Sequence, residues 1–537
     1  MRLDRDRCCD VLVIGSGIAG ITAALEGAAA GCSVTLVCRG GLFSGSSFYP
    51  GTWGLGLIGP ADEEDADDLA DTITQVGCHM SDPALVRTFV RGIQPAIEKV
   101  RAMGVRFRRA GNGGEKEYIP CFDHKHRDWN GIEFDSAREV FSRKLKEGNV
   151  TIIPHCGALE LVMAHGRVCG VVAAGAGRLH YFGGRSVVLA TGGYGSLFQY
   201  HLCTEDVEGV GQSLALNAGC ELVNMEFMQM MPGYISPAYQ TIFNERTFRF
   251  ARMTRSDGAP LLDRAAEAAL DIRATHGPFT CRLPSKVVDL ALFDAFCRDP
   301  KGVTTTYSEE MRRHPPEFMT AYFEWLKQAH GLTMEDPIQI GIFAHAANGG
   351  IRIDSSGYTG VEGLFAAGEA TGGMHGADRI GGLSTANGLV FGGIAGRSAA
   401  AGCVNAPQPP DHYDFHAMAV DGAADAFRRL RSSMSRHAMI ERSERGLGEA
   451  LALVEELRGG AKPVPSDDPA AVAETCRLYG RLQTAESILR AALLRRESRG
   501  SHYRSDYPEQ DPGQTAQIIV RRDAVGIRAD FAKEKSI

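Results

Sequence analysis

The sequence predicts an α/β fold in three parts: a Rossmann-like domain in two sequence pieces, an inserted α+β domain that caps it, and a C-terminal helical domain. Three observations predict it. A strand, a glycine-rich turn, a helix and a second strand follow one another at the start of the chain. This rhythm is lost from about Leu222 to Gln339, where Met, Phe, Arg and Pro become frequent, and strand signals then resume. After the Pro-rich segment 405–410, helix-period sequence runs from Ala423 to Glu497.

The opening unit is the most specific. Val11 to Ile14 is a short apolar run that leads straight into Gly15–Ser16–Gly17–Ile18–Ala19–Gly20. An alanine-rich stretch to Ala30 reads as a helix, and Ser33 to Val37 as the second strand. The first glycine makes the turn, the second lets the backbone approach a pyrophosphate, and the third lets helix and strand pack closely. Phosphates are then held at a helix N-terminus. An acidic residue ordinarily ends the second strand to bind ribose, but Cys38 and Arg39 stand there. Two later features favour FAD as the dinucleotide. Strand Ser186 to Ala190 ends in Thr191–Gly192–Gly193, and Gly363 to Ala367 is a strand entering a Gly368–Glu369 turn. The predicted boundaries are 1–222 with 339–403 for the FAD-binding domain, 223–338 for the cap and 410–537 for the helical domain. Gly166 to Val172 reads as part of a hairpin.

Composition narrows the function classes. The chain has 537 residues, 44% hydrophobic and 23% charged, with a net charge of -8. That balance argues against a nucleic-acid surface, which needs a basic excess. The 14 cysteines are scattered with no CxxC pair, which argues against an iron–sulfur cluster or zinc site held by this chain. Asp123–His124–Lys125–His126–Arg127 reads as a polar loop, with no metal expected. No secretory signal and no apolar run long enough to span a membrane is visible. A cytoplasmic protein is expected.

Three further segments carry a resemblance. They are His345–Ala346–Ala347–Asn348–Gly349–Gly350, Gly363 to Glu369, and His375–Gly376–Ala377–Asp378–Arg379–Ile380–Gly381–Gly382. With Glu497 to Tyr503 and Asp506 to Glu509, they resemble the flavoprotein subunits of fumarate reductase and succinate dehydrogenase, together with L-aspartate oxidase. The resemblance covers nearly the whole chain and implies the same three-part fold. In respiratory members a histidine holds FAD covalently. Its place falls on or near Ser47, so the resemblance implies non-covalent FAD, with Ser46, Ser47, Glu369, Ser384 and Thr385 also at the cofactor.

The family moves a hydride between flavin N5 and a carbon of a dicarboxylate. His345 matches the histidine and Arg379 the arginine that bind a substrate carboxylate, a task suited to charge-assisted donors. Other positions depart. Within Glu226–Phe227–Met228–Gln229–Met230–Met231–Pro232–Gly233, Met231 stands where the family has a second histidine. The family's threonine falls near Ala251. Ser285, in Leu283–Pro284–Ser285–Lys286, replaces the proton-delivering arginine, leaving neighbouring Arg282 and Lys286 as candidate substitutes. Arg255 resembles part of a cap turn and is counted with Met231, His345 and Arg379 around the substrate. The expected substrate keeps an acidic or carbonyl group for His345 and Arg379, with a less polar far end facing Met230, Met231 and Tyr234. Three functions fit: reduction of an activated C=C bond, L-aspartate oxidation, or service as the flavoprotein subunit of an electron-transfer complex. The expected partners are a small-molecule substrate and, in the third case, an electron-transfer protein.

Overall fold

The strand β1 (Arg2–Ile14) lies inside an eight-stranded sheet. The computed structural model describes residues 1–52, 54–108, 122–125, 127–315, 317–460 and 462–532. Val11 to Ile14 pair in parallel with β2 (Val34–Val37) on one side and with Ser186 to Leu189 on the other. Helix α1 (Ile18–Ala29) joins β1 to β2. Val11, Leu12 and Val13 are fully buried, as a parallel sheet covered on both faces requires. β1 begins earlier than the apolar run predicts, because Arg2 to Asp4 add an antiparallel pairing with His412–Asp414. Strand Leu364–Ala366, from the later sequence piece, pairs in parallel with Val187 to Leu189. One sheet is thus assembled from both ends of the predicted interruption.

The helix Leu383–Cys403 lies against α1. A Cβ on Gly392 would come within 2.5 Å of Ala19 O, and one on Gly396 within 2.5 Å of Ala23 O. Glycine at both positions lets the helices touch backbone to backbone. The hairpin signal at Gly166 is the turn of a meander, Cys156–Ala164, Arg167–Gly175 and Arg178–Leu189, all antiparallel.

Between the two pieces lies a four-stranded antiparallel sheet in the order Met228–Ser236, Ile338–Ala347, Val303–Tyr307, Ala251–Thr254. Helices Lys286–Arg298 and Glu317–His330 accompany it. Strand Ile338–Ala347 carries His345 near its C-terminal end.

Three helices, Ala423–His437, Glu444–Gly460 and Pro469–Leu494, follow the linker. The helical expectation for 410–537 stops there. Beyond Leu494 the described residues form no α-helix, and Ile518–Arg522 with Ile527–Phe531 make a β-hairpin. Its first strand pairs with Leu222–Val223. The β-branched run Ile518, Ile519, Val520 is buried at 1% exposure or less, which favours strand over helix. Among the described residues, no helix is long and apolar enough to cross a membrane.

Candidate active site

A cavity of about 400 Å³ runs from the β1–α1 turn to the four-stranded sheet. Gly15, Ser16, Gly17, Ile18 and Ala19 line it, as the fingerprint predicts. Gly15 has a φ of 110°, and a Cβ there would lie 2.2 Å from Ala190 O. Gly20 is not on the wall. Its Cβ would sit 1.8 Å from Gly15 O, so its part is the close packing of helix on turn.

Arg39, Ser46, Ser47, Ala190, Thr191, Gly192, Glu369, Ser384 and Thr385 also line the cavity. Cys38 does not. Val37 and Arg39 face the cavity and Cys38, between them on an extended chain, is buried on the other side. Gly193 lies behind the wall, where its missing side chain leaves room for the Glu369 carboxylate. Glu369 accepts from Ala347 N (3.0 Å), and burial raises its carboxyl above the usual range. Ser47 Oγ accepts from Ile18 N at 3.1 Å.

These residues fit a flavin dinucleotide. Two helix N-termini, of α1 and of Leu383–Cys403, face the cavity, and neither N-cap glycine supplies a side-chain cap. Thr191 Oγ1 is buried on the wall with no hydrogen-bond partner among the described residues. Glu208 lines the cavity, pairs with Arg39, and accepts from Arg481 Nε at 2.8 Å. No local signal in the sequence marked Glu208.

At the substrate end, His345, Arg379 and Met231 line the same cavity. Arg379 Nε donates to Gln229 Oε1 (2.9 Å), while Gln229 Nε2 donates to Arg379 O (3.0 Å). The Nε bond, with a second from Nη1 to Ile380 O (3.2 Å), fixes the guanidinium. His345 Nδ1 is buried without a partner among the described residues. Burial, then the Arg379 charge, pushes the imidazole down to about 3, so it is neutral near pH 7. It can accept or donate one hydrogen bond there, but adds no positive charge.

The structure does not bring Arg282, Lys286 or Arg255 to the wall. Arg282 Nε is ion-paired with buried Asp378 Oδ2 at 2.9 Å. Lys286 begins a helix, with its ammonium 5.6 Å from the Tyr503 ring centroid. Arg255 is exposed, and its guanidinium donates to Leu261 O. Ser285 is fully buried and hydrogen-bonded to His276 Nε2 (2.8 Å), whose Nδ1 meets Pro278 O at 2.8 Å. Since a carbonyl only accepts, Nδ1 carries the proton and Ser285 donates. Met230 and Tyr234 are also absent from the wall. They sit on the core-facing side of Met228–Ser236, opposite Met231 and Ile235. Their places are taken by Tyr49, Leu202 and Ile242, and by Glu245, which sequence reasoning missed.

In the Asp123 loop, Arg127 binds Asp65 (2.5 Å), Asp68 (2.6 Å) and Asp123 (2.7 Å), so the acids form an ionic cluster around an arginine. His126 lies outside the described residues.

A family model described as FAD binding domain matches residues 10–385, and one described as fumarate reductase flavoprotein C-term matches 427–531. The chain belongs to the fumarate reductase, succinate dehydrogenase flavoprotein and L-aspartate oxidase family. Like the family it is an FAD-dependent oxidoreductase. It is 29% identical to a subunit of the fumarate reductase (CoM/CoB) of Methanothermobacter marburgensis, over 96% of this chain and 97% of its relative. It is 30% identical to an L-aspartate oxidase of Caulobacter vibrioides, over 93% and 94%. In fold it is similar to Mycobacterium smegmatis Sdh1, solved in complex with UQ1, at a TM-score of 0.82 and 23% identity, covering 98% and 94%. It is also similar to the Escherichia coli quinol fumarate reductase flavoprotein FrdA, at 0.79 and 22%, covering 99% and 97%.

Proposed function

We propose that this family member reduces an activated C=C bond next to a carboxylate, which Arg379 and His345 hold. The observation that carries the proposal is their convergence on the FAD cavity, with the Arg379 guanidinium oriented by Gln229. Bound FAD supplies hydride exchange with a substrate carbon. The glycine turn and the two helix N-termini would hold its phosphates, with Ser46, Ser47 and Glu369 nearby. Ser47 in the histidine's place supports non-covalent binding. Arg379 would pair with the carboxylate and His345 would hydrogen-bond to it, fixing the double bond against the cofactor. Among the described residues, Glu245 is the titratable side chain that the inserted segment presents to the cavity.

The division into 1–222 with 339–403, 223–338 and 410–537 is part of this proposal, with the middle segment as cap. So is a cytoplasmic location. An electron-transfer partner is supported by the likenesses to Sdh1 and FrdA, flavoproteins that work within multi-subunit complexes. L-aspartate oxidase is the second reading, favoured by the 30% identical relative. The test is anaerobic: the reduced holoenzyme is mixed with α,β-unsaturated carboxylates, fumarate included, and flavin reoxidation is followed. Reoxidation by any of them supports the proposal. If none reoxidises the flavin while aspartate yields peroxide under air, the oxidase reading replaces it.

A further inference from the structure

Two kinds of surface meet at the substrate end of the cavity. Arg379 is the charged group that acts on His345, and His345 itself is neutral. Tyr49, Leu202, Met231 and Ile242 line the same cavity. With Phe343 they form an apolar cluster separate from the main core. Tyr49 donates its hydroxyl to Gln240 O at 2.6 Å, which turns that group to the backbone. Leu202 and Ile242 are pinned by backbone hydrogen bonds, to Ala344 O and Gly51 O.

Two other arginines line the cavity, each in contact with a wall residue away from the apolar cluster. Arg39 is paired with Glu208, and Arg108 lies over the Trp129 ring at 5.2 Å. From the inserted segment the wall receives Met231, Ile242, Glu245, Gly277 and Pro278, so its one charged side chain among the described residues is an acid. Ser285, where the resemblance expects an arginine, is fully buried against His276. Among the described residues, the second carboxylate of a dicarboxylate placed in this apolar cluster would lie among Tyr49, Leu202, Met231 and Ile242. Burying a carboxylate among apolar side chains is strongly unfavourable. An apolar group in the same place gains from leaving water.

We infer that the site takes an α,β-unsaturated monocarboxylate with an apolar β-substituent, an aryl or alkyl 2-enoate, in preference to a dicarboxylate; this rests on the carboxylate role proposed above for Arg379 and His345. The reaction balances as R–CH=CH–COO⁻ plus FADH₂ giving R–CH₂–CH₂–COO⁻ plus FAD. The β carbon gains the hydride, the π pair moves to the α carbon, and a proton closes the new C–H bond there.

The decisive experiment is equilibrium binding to the oxidised holoenzyme, read by calorimetry, with 3-phenylpropanoate and succinate as saturated, unreactive probes. The expected result is at least tenfold tighter binding of 3-phenylpropanoate. Met231→His is expected to narrow that ratio at least tenfold, and the wild-type ratio decides even if this variant misfolds. Succinate binding as tightly or more tightly overturns the monocarboxylate inference and leaves the carboxylate role of Arg379 standing. No binding of either probe, or 3-phenylpropanoate affinity unchanged in Arg379→Lys, overturns both.

Discussion

The Arg379 guanidinium donates to Gln229 Oε1 at 2.9 Å and to Ile380 O at 3.2 Å, so its direction is set before any ligand arrives. Lysine would keep the charge but lose the planar fork that matches a carboxylate. Arg379→Lys is therefore expected to weaken carboxylate binding by about 2–5 kcal/mol, seen as a rise in KM of at least about thirtyfold at unchanged FAD content. An unchanged KM would remove Arg379 from the site. His345, Arg379 and Met231 were legible because each lies in a motif of fixed spacing. Arg282 and Lys286 were not, because adjacency to Ser285 says nothing about direction. The deciding partner of Arg282, Asp378, is 96 residues away. Glu208 and Glu245 carry no local signal at all, and reach the wall only through tertiary packing.

At the scale of elements, the β1–α1–β2 unit was readable because one apolar run, three glycines and one helix must occur in sequence to make it. The same closeness makes a prediction. A Cβ on Gly20 would stand 1.8 Å from Gly15 O, and both atoms belong to rigid backbone. Gly20→Ala is thus expected to displace the turn that meets the pyrophosphate. The protein should purify with well under half the wild-type flavin, measured as the ratio of 450 nm to 280 nm absorbance. Full flavin occupancy would show that the turn can relax. The C-terminal hairpin was not readable as such. Ile518 to Val520 is a short apolar run, and its strand partner, Leu222–Val223, lies some three hundred residues upstream.

Across the whole molecule, buried charge ties that tail to the rest. Arg495 is fully buried, with Nε 2.8 Å from Glu226 and Nη1 2.8 Å from Glu497, both acids also fully buried. It also donates to the carbonyls of Gln514 and Ala516. Removing one member of a buried ion pair leaves an uncompensated charge and costs about 3–5 kcal/mol. Arg495→Met is expected to lower the unfolding free energy by that amount, read from urea denaturation, and a loss below about 1 kcal/mol would mean that the network contributes little.

Buried histidines set a second global property, the response to acid. His276 is held down to about 3 by burial and then by Arg273, and His375 and His502 lie well below 6.5, again chiefly through burial. In the folded protein His276 and His345, both near 3, are neutral at both pH 7.5 and 5.5. In the unfolded chain each takes a proton as pH falls through about 6.5. Their stabilisation is therefore complete above that value and lost as pH falls from about 6.5 toward their folded values. By pH 5.5 the two together cost roughly 3 kcal/mol. Asp378 acts the other way. Burial raises it to about 6, so it protonates first in the folded state and returns about 1 kcal/mol over the same range. The net expectation is a holoenzyme about 2 kcal/mol less stable at pH 5.5 than at 7.5. Urea midpoints at the two values check it, and an equal or higher midpoint at pH 5.5 would mean that these histidines are protonated where they stand, with the packing around them rearranged to accept the charge.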